Sequence, residues 1–547
     1  MIAVKRVVVK LIIAQLDFLV GDIEGNSKKI ISACKKARDQ QAQLIVFPEL
    51  ALTGYPPEDL LLRPELYQRC DVTLQNIIDA VKDIDVVLGY PKQTEKGLLN
   101  IAGVIQSGSI THEYAKQTLP NYKVFDEKRY FVEGEQACIA IIAGIPMGIT
   151  ICEDIWVDQP VTQAVKAGAK CIININASPF HIHKSQQRQQ VVEDHARLSD
   201  IPVVYANLVG GQDELVFDGE SFVVDEKGNV VRRAPAFEED LFGVTLEWDQ
   251  QRVTVPAQEC ADLLDENESI YRALVTGVRD YVHKNGFKGA VIGLSGGIDS
   301  ALTLAIAVDA LGAEHVEAIS MPSRYTSAMS IDDAKQECRN LGIECELVSI
   351  ESAFNAFLEL LDPLFKGLPV DATEENIQAR CRGILLMAIS NKKRKMVLTT
   401  GNKSEMAVGY ATLYGDMAGG FAVLKDVLKT RVYALSNWRN AQSNVIPQRV
   451  IDRPPSAELA SDQKDSDSLP DYAILDPILQ RYIERDQGAA EMIAAGFDEQ
   501  IVSRIMHMVD ITEYKRRQAP PGVRVTERAF GRDRRYPVTS GFRYGRQ

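Results

Sequence analysis

Short apolar runs alternate with amphipathic segments through about residue 250. "VVVKLIIAQL" (7–16), "LIVFPEL" (44–50), "VVLGY" (86–90), "NIAGVIQSG" (100–108), "IPMGITICEDI" (145–155), "KCIININASP" (170–179) and "VVYANLVGG" (203–211) read as strands. Between them, "GNSKKIISACKKARDQQA" and "PVTQAVKAGA" carry apolar residues at helical spacing. "SFVVDEKGNVVRRAP" (221–235) predicts a hairpin, because turn residues split two apolar pieces. Strands with interspersed helices imply an α/β sandwich. The character changes over 247–269, which is polar, acidic and contains a proline, so a boundary is expected near 260. Beyond it, a helix pattern at 269–286 stops at Asn-Gly, followed by the strand "GAVIGLS" (289–295) and a helix at 299–312. "VEAISMP" (316–322), a helix at 331–342 and "CELVSI" (345–350) continue the rhythm. Strand–helix–strand repetition implies a parallel sheet covered on both faces. Two domains are therefore expected, 1–260 and 261–547.

The bulk numbers add exclusions. A chain of 547 residues is too long for one core, and its 46% hydrophobic and 25% charged content is ordinary for a globular protein. A formal charge of −14 argues against non-specific nucleic-acid or anionic-membrane binding. Nine dispersed cysteines without a CxxC fit neither a disulfide scaffold nor a zinc site. Charges interrupt the apolar N-terminus and no small-residue cleavage site follows, so a core strand is expected there and the cytoplasm is the default location. Residues 513–547 hold ten Lys/Arg against three Asp/Glu. Such a tail could pack against the acidic body, contact a phosphorylated ligand or partner subunit, or touch nucleic acid.

"GLSGGIDS" (293–300) lies between a predicted strand and a predicted helix. There its backbone N–H groups and the positive helix end face an anion. Gly296 and Gly297 let the backbone approach closely, and Ser295 and Ser300 add hydroxyls. A Walker loop would end in Gly-Lys-Ser/Thr. Here Asp299 stands in that neighbourhood, and a carboxylate beside phosphates asks for Mg²⁺.

The loop resembles the signature of the ATP pyrophosphatase superfamily, which cleaves ATP between its α and β phosphates and adenylates an acceptor. Within that superfamily, "NIQARCRG" (376–383), "TTGNKSEMAVGYATLYGDMAGGFAV" (399–423), "LKTRVY" (428–433) and "RPPSAEL" (453–459) are similar to NAD synthetase motifs. The resemblance implies that Glu405 joins Asp299 in holding Mg²⁺ and that Lys429 and Ser456 contact ATP phosphates. It also implies Arg380 near the nucleotide, and Lys403 and Asp416 toward the pyridine side of deamido-NAD.

In the first half, "GITICEDIW" sets Cys152 at the end of an apolar run; "FPEL" carries Glu49 and "EYAKQTLPNY" carries Lys116, both at strand ends. Three complementary groups could converge at one sheet edge. These pieces, with "NASPFHIHK" (176–184), resemble the nitrilase superfamily. That likeness implies Cys152 as nucleophile, Glu49 as general base, Lys116 as oxyanion stabiliser and Glu127 as a supporting glutamate. The likeness also implies that Ser178 and Phe180 recognise the substrate amide and that Tyr122 forms another pocket wall, with glutamine as that amide following from the partner domain.

Together the halves resemble the glutamine-dependent NAD synthetase family across nearly the whole chain. The implied fold is an α-β-β-α nitrilase-like sandwich followed by a Rossmann-like parallel-sheet adenine-nucleotide domain. The implied substrates are glutamine, ATP and deamido-NAD, with ammonia passed internally and a homo-oligomeric assembly. Rival readings are an adenylating amidotransferase with another acceptor, a nucleotide-binding scaffold, and a nitrilase with a vestigial second domain.

Overall fold

The computed structural model describes residues 6–460, 463, 465–467 and 469–542. The acidic 462–467 loop therefore falls partly outside the described residues, and the end of the basic tail, 543–547, wholly so. The chain divides into two compact units, Met1–Leu264 and Asp265–Gln547.

In the first unit, Leu11 and Ile13 of the opening strand Val7–Gln15 face one core, while Ile12 and Ala14 face another. A strand buried on both faces needs a continuous apolar run, which is why this segment shows no polar alternation. Its sheet has seven strands in the order Val253–Thr254, Asp240–Trp248, Val7–Gln15, Leu44–Val46, Asp85–Thr94, Gly97–Gln106 and Ser109–Ala115. The three central strands from Val7–Gln15 to Asp85–Thr94 are parallel, and the outer pairings are antiparallel.

A six-stranded sheet runs Val230–Arg233, Phe222–Val224, Val203–Asn207, Cys171–Asn176, Ile145–Ile151 and Cys138–Ile142. The expected hairpin is its antiparallel pair Phe222–Val224 and Val230–Arg233. Val46, Val87 and Val104 of the first sheet meet Ile149, Ile173 and Val204 of the second in a shared core. Helices Ile23–Asp39 and Pro64–Ala80 cover the outer face of the first sheet. Asp158–Lys166 and Lys184–Ser199 cover that of the second. The result is a helix–sheet–sheet–helix sandwich.

The second unit is built on an all-parallel five-stranded sheet in the order Cys345–Leu347, Val316–Ser320, Ala290–Gly293, Met396–Thr399 and Phe421–Ala422. The chain leaves Ala290–Gly293 to one side first and returns later on the other. That reversal opens a crevice beyond the strand's carboxyl end, where ligands bind in folds of this type. The loop 293–300 occupies this position, and the helix Ile298–Leu311 begins from it.

The arginine-rich tail is folded inward. Arg516 and Arg534 pair with Glu513 at 2.8 and 2.5 Å, and Arg524 pairs with Asp533 at 2.7 Å. All three arginines are buried, but their partner carboxylates belong to the same tail, so these pairs fold the tail without reducing its charge excess. Among the described residues, no helix is long and apolar enough to cross a membrane.

Candidate active sites

In the sandwich, Glu49 follows the strand Leu44–Val46, Lys116 follows Ser109–Ala115, and Cys152 follows Ile145–Ile151. Lys116 Nζ lies 2.7 Å from Glu49 Oε1 and 2.9 Å from Glu127 Oε1, and all three side chains are buried. Glu49 Oε1 also accepts from Asn100 Nδ2 at 2.7 Å, while Oε2 accepts from the Ala177 N–H at 3.1 Å. Tyr55 donates to Glu127 at 2.9 Å. Burial works against the Lys116 ammonium, yet Glu127 and Glu49 outweigh it and raise its pKa well above the usual lysine value. Burial raises the Glu127 carboxyl to about 7, with Lys116 opposing and Glu49 reinforcing the rise.

Cys152 is buried as well, with a left-handed φ of 43°. Burial, then Glu49, push its thiol well up, and Lys116 pulls it down. Burial therefore favours the neutral thiol at Cys152. Tyr122 is half exposed and donates to Glu153 Oε1 at 2.8 Å. Ser178 is buried, its N–H donating to Asn207 Oδ1 at 2.9 Å. Phe180 is buried edge-on to Phe237, with ring centroids 5.5 Å apart.

In the second unit a cavity of about 280 Å³ opens at the loop 293–300. Ser295, Gly297, Asp299 and Ser300 line one side, with Glu405, Lys429, Asp416 and Ser456 on the others. Lys429 Nζ is in close contact with Asp299 and 3.4 Å from Glu405 Oε1. Asn402 caps the helix Lys403–Val408 through the Glu405 N–H and donates to Asp299 Oδ1 at 2.9 Å, tying the two carboxylates together. Burial, then the neighbouring Asp299, raise Glu405 to about 8 against the pull of Lys429. Ser300 Oγ donates to the Gly297 carbonyl at 2.9 Å and lies 3.0 Å from Ser295 Oγ, fixing the shape of the loop. Burial raises Asp416 to about 6, and Lys515 opposes the rise.

Two family profiles divide the chain as the fold does: carbon-nitrogen hydrolase over residues 11–254 and NAD synthase over 270–519. The chain is 49% identical over 537 residues to the glutamine-dependent NAD(+) synthetase of Acinetobacter baylyi, covering 98% of this chain and 99% of that one. The chain belongs to the glutamine-dependent NAD(+) synthetase family. The Thermotoga maritima member is 44% identical over 567 residues, covering 97% and 98% of the two chains. A solved structure of the synthetase from Acinetobacter baumannii, in complex with adenosine diphosphate, superposes with a TM-score of 0.80 at 46% identity, covering 97% of this chain and 98% of that one. The protein is thus a carbon–nitrogen ligase that draws on glutamine for the amidation yielding NAD.

Within this synthetase three residues depart from the sequence expectation. Lys403 is fully buried and does not line the cavity; its ammonium is held by Asp426 and Glu484, both at 2.7 Å, and by Thr526 at 2.8 Å. It fastens the C-terminal segment to the start of the helix Lys403–Val408. Arg380 is exposed on the helix Ala372–Lys393, with Nε donating to the Leu413 carbonyl at 3.2 Å. Arg382 lines the cavity instead, because residues two apart on a helix face opposite ways. Gly296 is not on the wall. With φ 80° it makes the turn, and a β-carbon there would lie 2.3 Å from the Ser330 carbonyl oxygen.

Other side chains escaped the sequence reading. Asp465 lines the nucleotide cavity and accepts from Tyr472 OH at 2.9 Å. In the sandwich, Lys184 Nζ rests 3.7 Å from the centroid of the Trp156 ring and has no ion pair among the described residues. Burial, then Arg188, lower it to about 8, against the attraction of Cys152 and Glu153. The stretch 176–184 marked the neighbourhood, but nothing in it signals a lysine without a counter-ion.

Proposed function

We propose that glutamine is hydrolysed at Glu49, Lys116 and Cys152, and that the ammonia released is passed internally to an adenylated deamido-NAD formed at the cavity bounded by the loop 293–300. The observation that carries this reading is the buried lysine held between two carboxylates beside a strained cysteine. Glu49 takes the thiol proton as Cys152 sulfur attacks the glutamine side-chain carbonyl. Lys116 is close enough to stabilise the oxyanion, and Glu127 keeps that lysine charged. The proton on Glu49 then goes to the departing amine, which leaves as ammonia. Water, deprotonated by the same carboxylate, cleaves the thioester to glutamate. Lys184, with no ion pair among the described residues, is suited to the glutamine α-carboxylate. Ser178, Phe180 and Tyr122 form the pocket around the chain.

At the second site ATP binds with its phosphates toward the N–H groups and serines of the loop. The carboxylate of deamido-NAD attacks the α-phosphorus, pyrophosphate departs, and ammonia displaces AMP from the mixed anhydride. Lys429, Ser456 and Arg382 are placed to meet phosphate charge; Asp416 faces the acceptor. Asp299 and Glu405, two carboxylates on the same cavity wall with Asn402 between them, would suit a Mg²⁺ ion; burial, then Asp299, raise Glu405 to about 8, a cost that a divalent cation would lower. When bound, that ion neutralises charge growing on the pyrophosphate.

Nine free cysteines support a reducing, cytoplasmic setting. An exposed apolar face on the second unit supports a homo-oligomer. Changing Cys152 to Ala is expected to abolish glutamine-dependent NAD formation and to leave ammonium-supported formation within twofold. Loss of both would sink the division of labour. With amide-labelled glutamine and an excess of unlabelled ammonium, NAD is expected to carry mostly the label; dilution to the pool ratio would exclude internal passage.

A further inference from the structure

Lys116 and Cys152 are carried by different sheets of the sandwich, the first following Ser109–Ala115 and the second following Ile145–Ile151. Their alignment needs something that spans the two sheets at this end. Asp154, fully buried two residues after the cysteine, does so with every lone-pair direction it has. Its Oδ1 accepts from the Gln117 and Thr118 N–H groups at 3.1 and 2.8 Å, on the segment continuing from Lys116. Its Oδ2 accepts from the Ile151 N–H at 3.0 Å, next to Cys152, and from Tyr114 OH at 2.8 Å. Three of these donors are backbone N–H groups that cannot accept in return, so an ionised carboxylate is the form that matches the site.

We infer that Asp154 is a positioning residue for glutamine hydrolysis: it pins the turn that holds Cys152 in its left-handed conformation to the strand end that presents Lys116. The inference rests on assigning Glu49, Lys116 and Cys152 to that reaction. The pin matters because Cys152 at φ 43° occupies backbone space that a non-glycine residue keeps only when its surroundings enforce it. The Ile151 bond caps the short helix Cys152–Trp156 immediately before that residue. The same carboxylate sets where the Lys116 segment lies.

Asp154→Asn tests this in the full-length enzyme. The amide –NH₂ cannot face two backbone N–H groups on the Oδ1 side, so it turns toward Tyr114, whose hydroxyl can reverse and accept. The Ile151 N–H then meets a donor, and the turn at Cys152 loosens. Glutamine-dependent kcat is expected to fall about 100-fold, the scale of a reacting group misplaced by about 1 Å. KM for glutamine should stay within about threefold and ammonium-supported NAD synthesis within about twofold.

The pH profile of Cys152 alkylation by iodoacetamide, followed on its own peptide by mass spectrometry, separates positioning from mere folding. A displaced thiol no longer feels Glu49 and Lys116 alike, so the inflection should move by at least about half a pH unit. A variant that simply folds less yields fewer reactive thiols with an unmoved inflection. That outcome, or a kcat within threefold of the parent, overturns the inference. Should Asp154→Asn be insoluble, Tyr114→Phe carries the test. It removes one of the four donors and should lower kcat about three- to tenfold with a shifted inflection; an unchanged kcat and profile would overturn the inference. Cys152→Ala serves as the reference, since glutaminase activity surviving in it would remove the underlying assignment and not the geometry of Asp154.

Discussion

A half-hidden ammonium with no ion pair among the described residues is a standing electrostatic cost unless an anion arrives. Lys184 is such a group, lowered to about 8 mainly by burial. Below that pH it carries the charge that would attract the glutamine α-carboxylate; above it the amine becomes neutral and the attraction fades. The kcat/KM for glutamine should therefore decline as pH rises through about 8, because that ratio reports the free enzyme's groups. Lys184→Met should raise KM at least tenfold at pH 7, keep kcat within about threefold, and erase this limb of the profile. A parallel decline in the variant would assign it to the amino group of glutamine. The neighbouring arginines of the second unit give a sharper contrast. Arg382→Ala should raise KM for ATP about tenfold or more, whereas Arg380→Ala, on the outward face of the same helix, should change it less than threefold; steady-state kinetics with ammonium as nitrogen source decides.

Elements give the same lesson in a different form. The loop 293–300 was legible because a tight turn between strand and helix requires glycine and serine in a local order that the sequence states openly. Gly296 carries the strictest of these requirements: at φ 80° any side chain is strained, and its β-carbon would meet the Ser330 carbonyl at 2.3 Å. Gly296→Ala should lower ammonium-supported synthesis at least tenfold while glutamine hydrolysis stays within twofold. Equal loss of both would mean the substitution unfolds more than the loop. Glu49 and Cys152 each follow an apolar run, whereas Lys116 follows the largely polar strand Ser109–Ala115, so the likeness to the nitrilase superfamily and not the spacing grouped the three. Asp240–Trp248 was not read, although its alternating burial suits a strand, because its pairing with Val7–Gln15 spans the length of the unit. The burial of Lys403 was illegible for a related reason. Its capping neighbour Asn402 and the helix start are local, but Asp426, Glu484 and Thr526, which consume its charge, lie far along the chain.

At the scale of the molecule, one surface of the second unit is unlike the rest. Phe357, Leu360 and Leu364 repeat along the helix Glu351–Phe365 at 40, 72 and 74% exposure, and Leu368, Val370 and Ile384 nearby in sequence are exposed as well. Single exposed leucines need no explanation, but an exposed helical stripe of this kind marks an interaction face. The net charge of −14 does not by itself oppose self-association there, since the stripe is apolar and charge repulsion is screened over about 8 Å at physiological salt. A second copy of the chain is the occupant that the proposed homo-oligomer would supply, and it would remove the apolar stripe from water at roughly 25 cal/mol per Å² buried. Sedimentation of the intact enzyme at micromolar concentration should accordingly give a dimer or a multiple of it. Leu360→Glu with Leu364→Glu should shift it toward monomer, because two carboxylates would then be buried without partners in the contact. Glutamine hydrolysis in the first unit is expected to survive that change. A monomeric parent, or a double variant that sediments as the parent does, would leave this stripe without the role assigned to it.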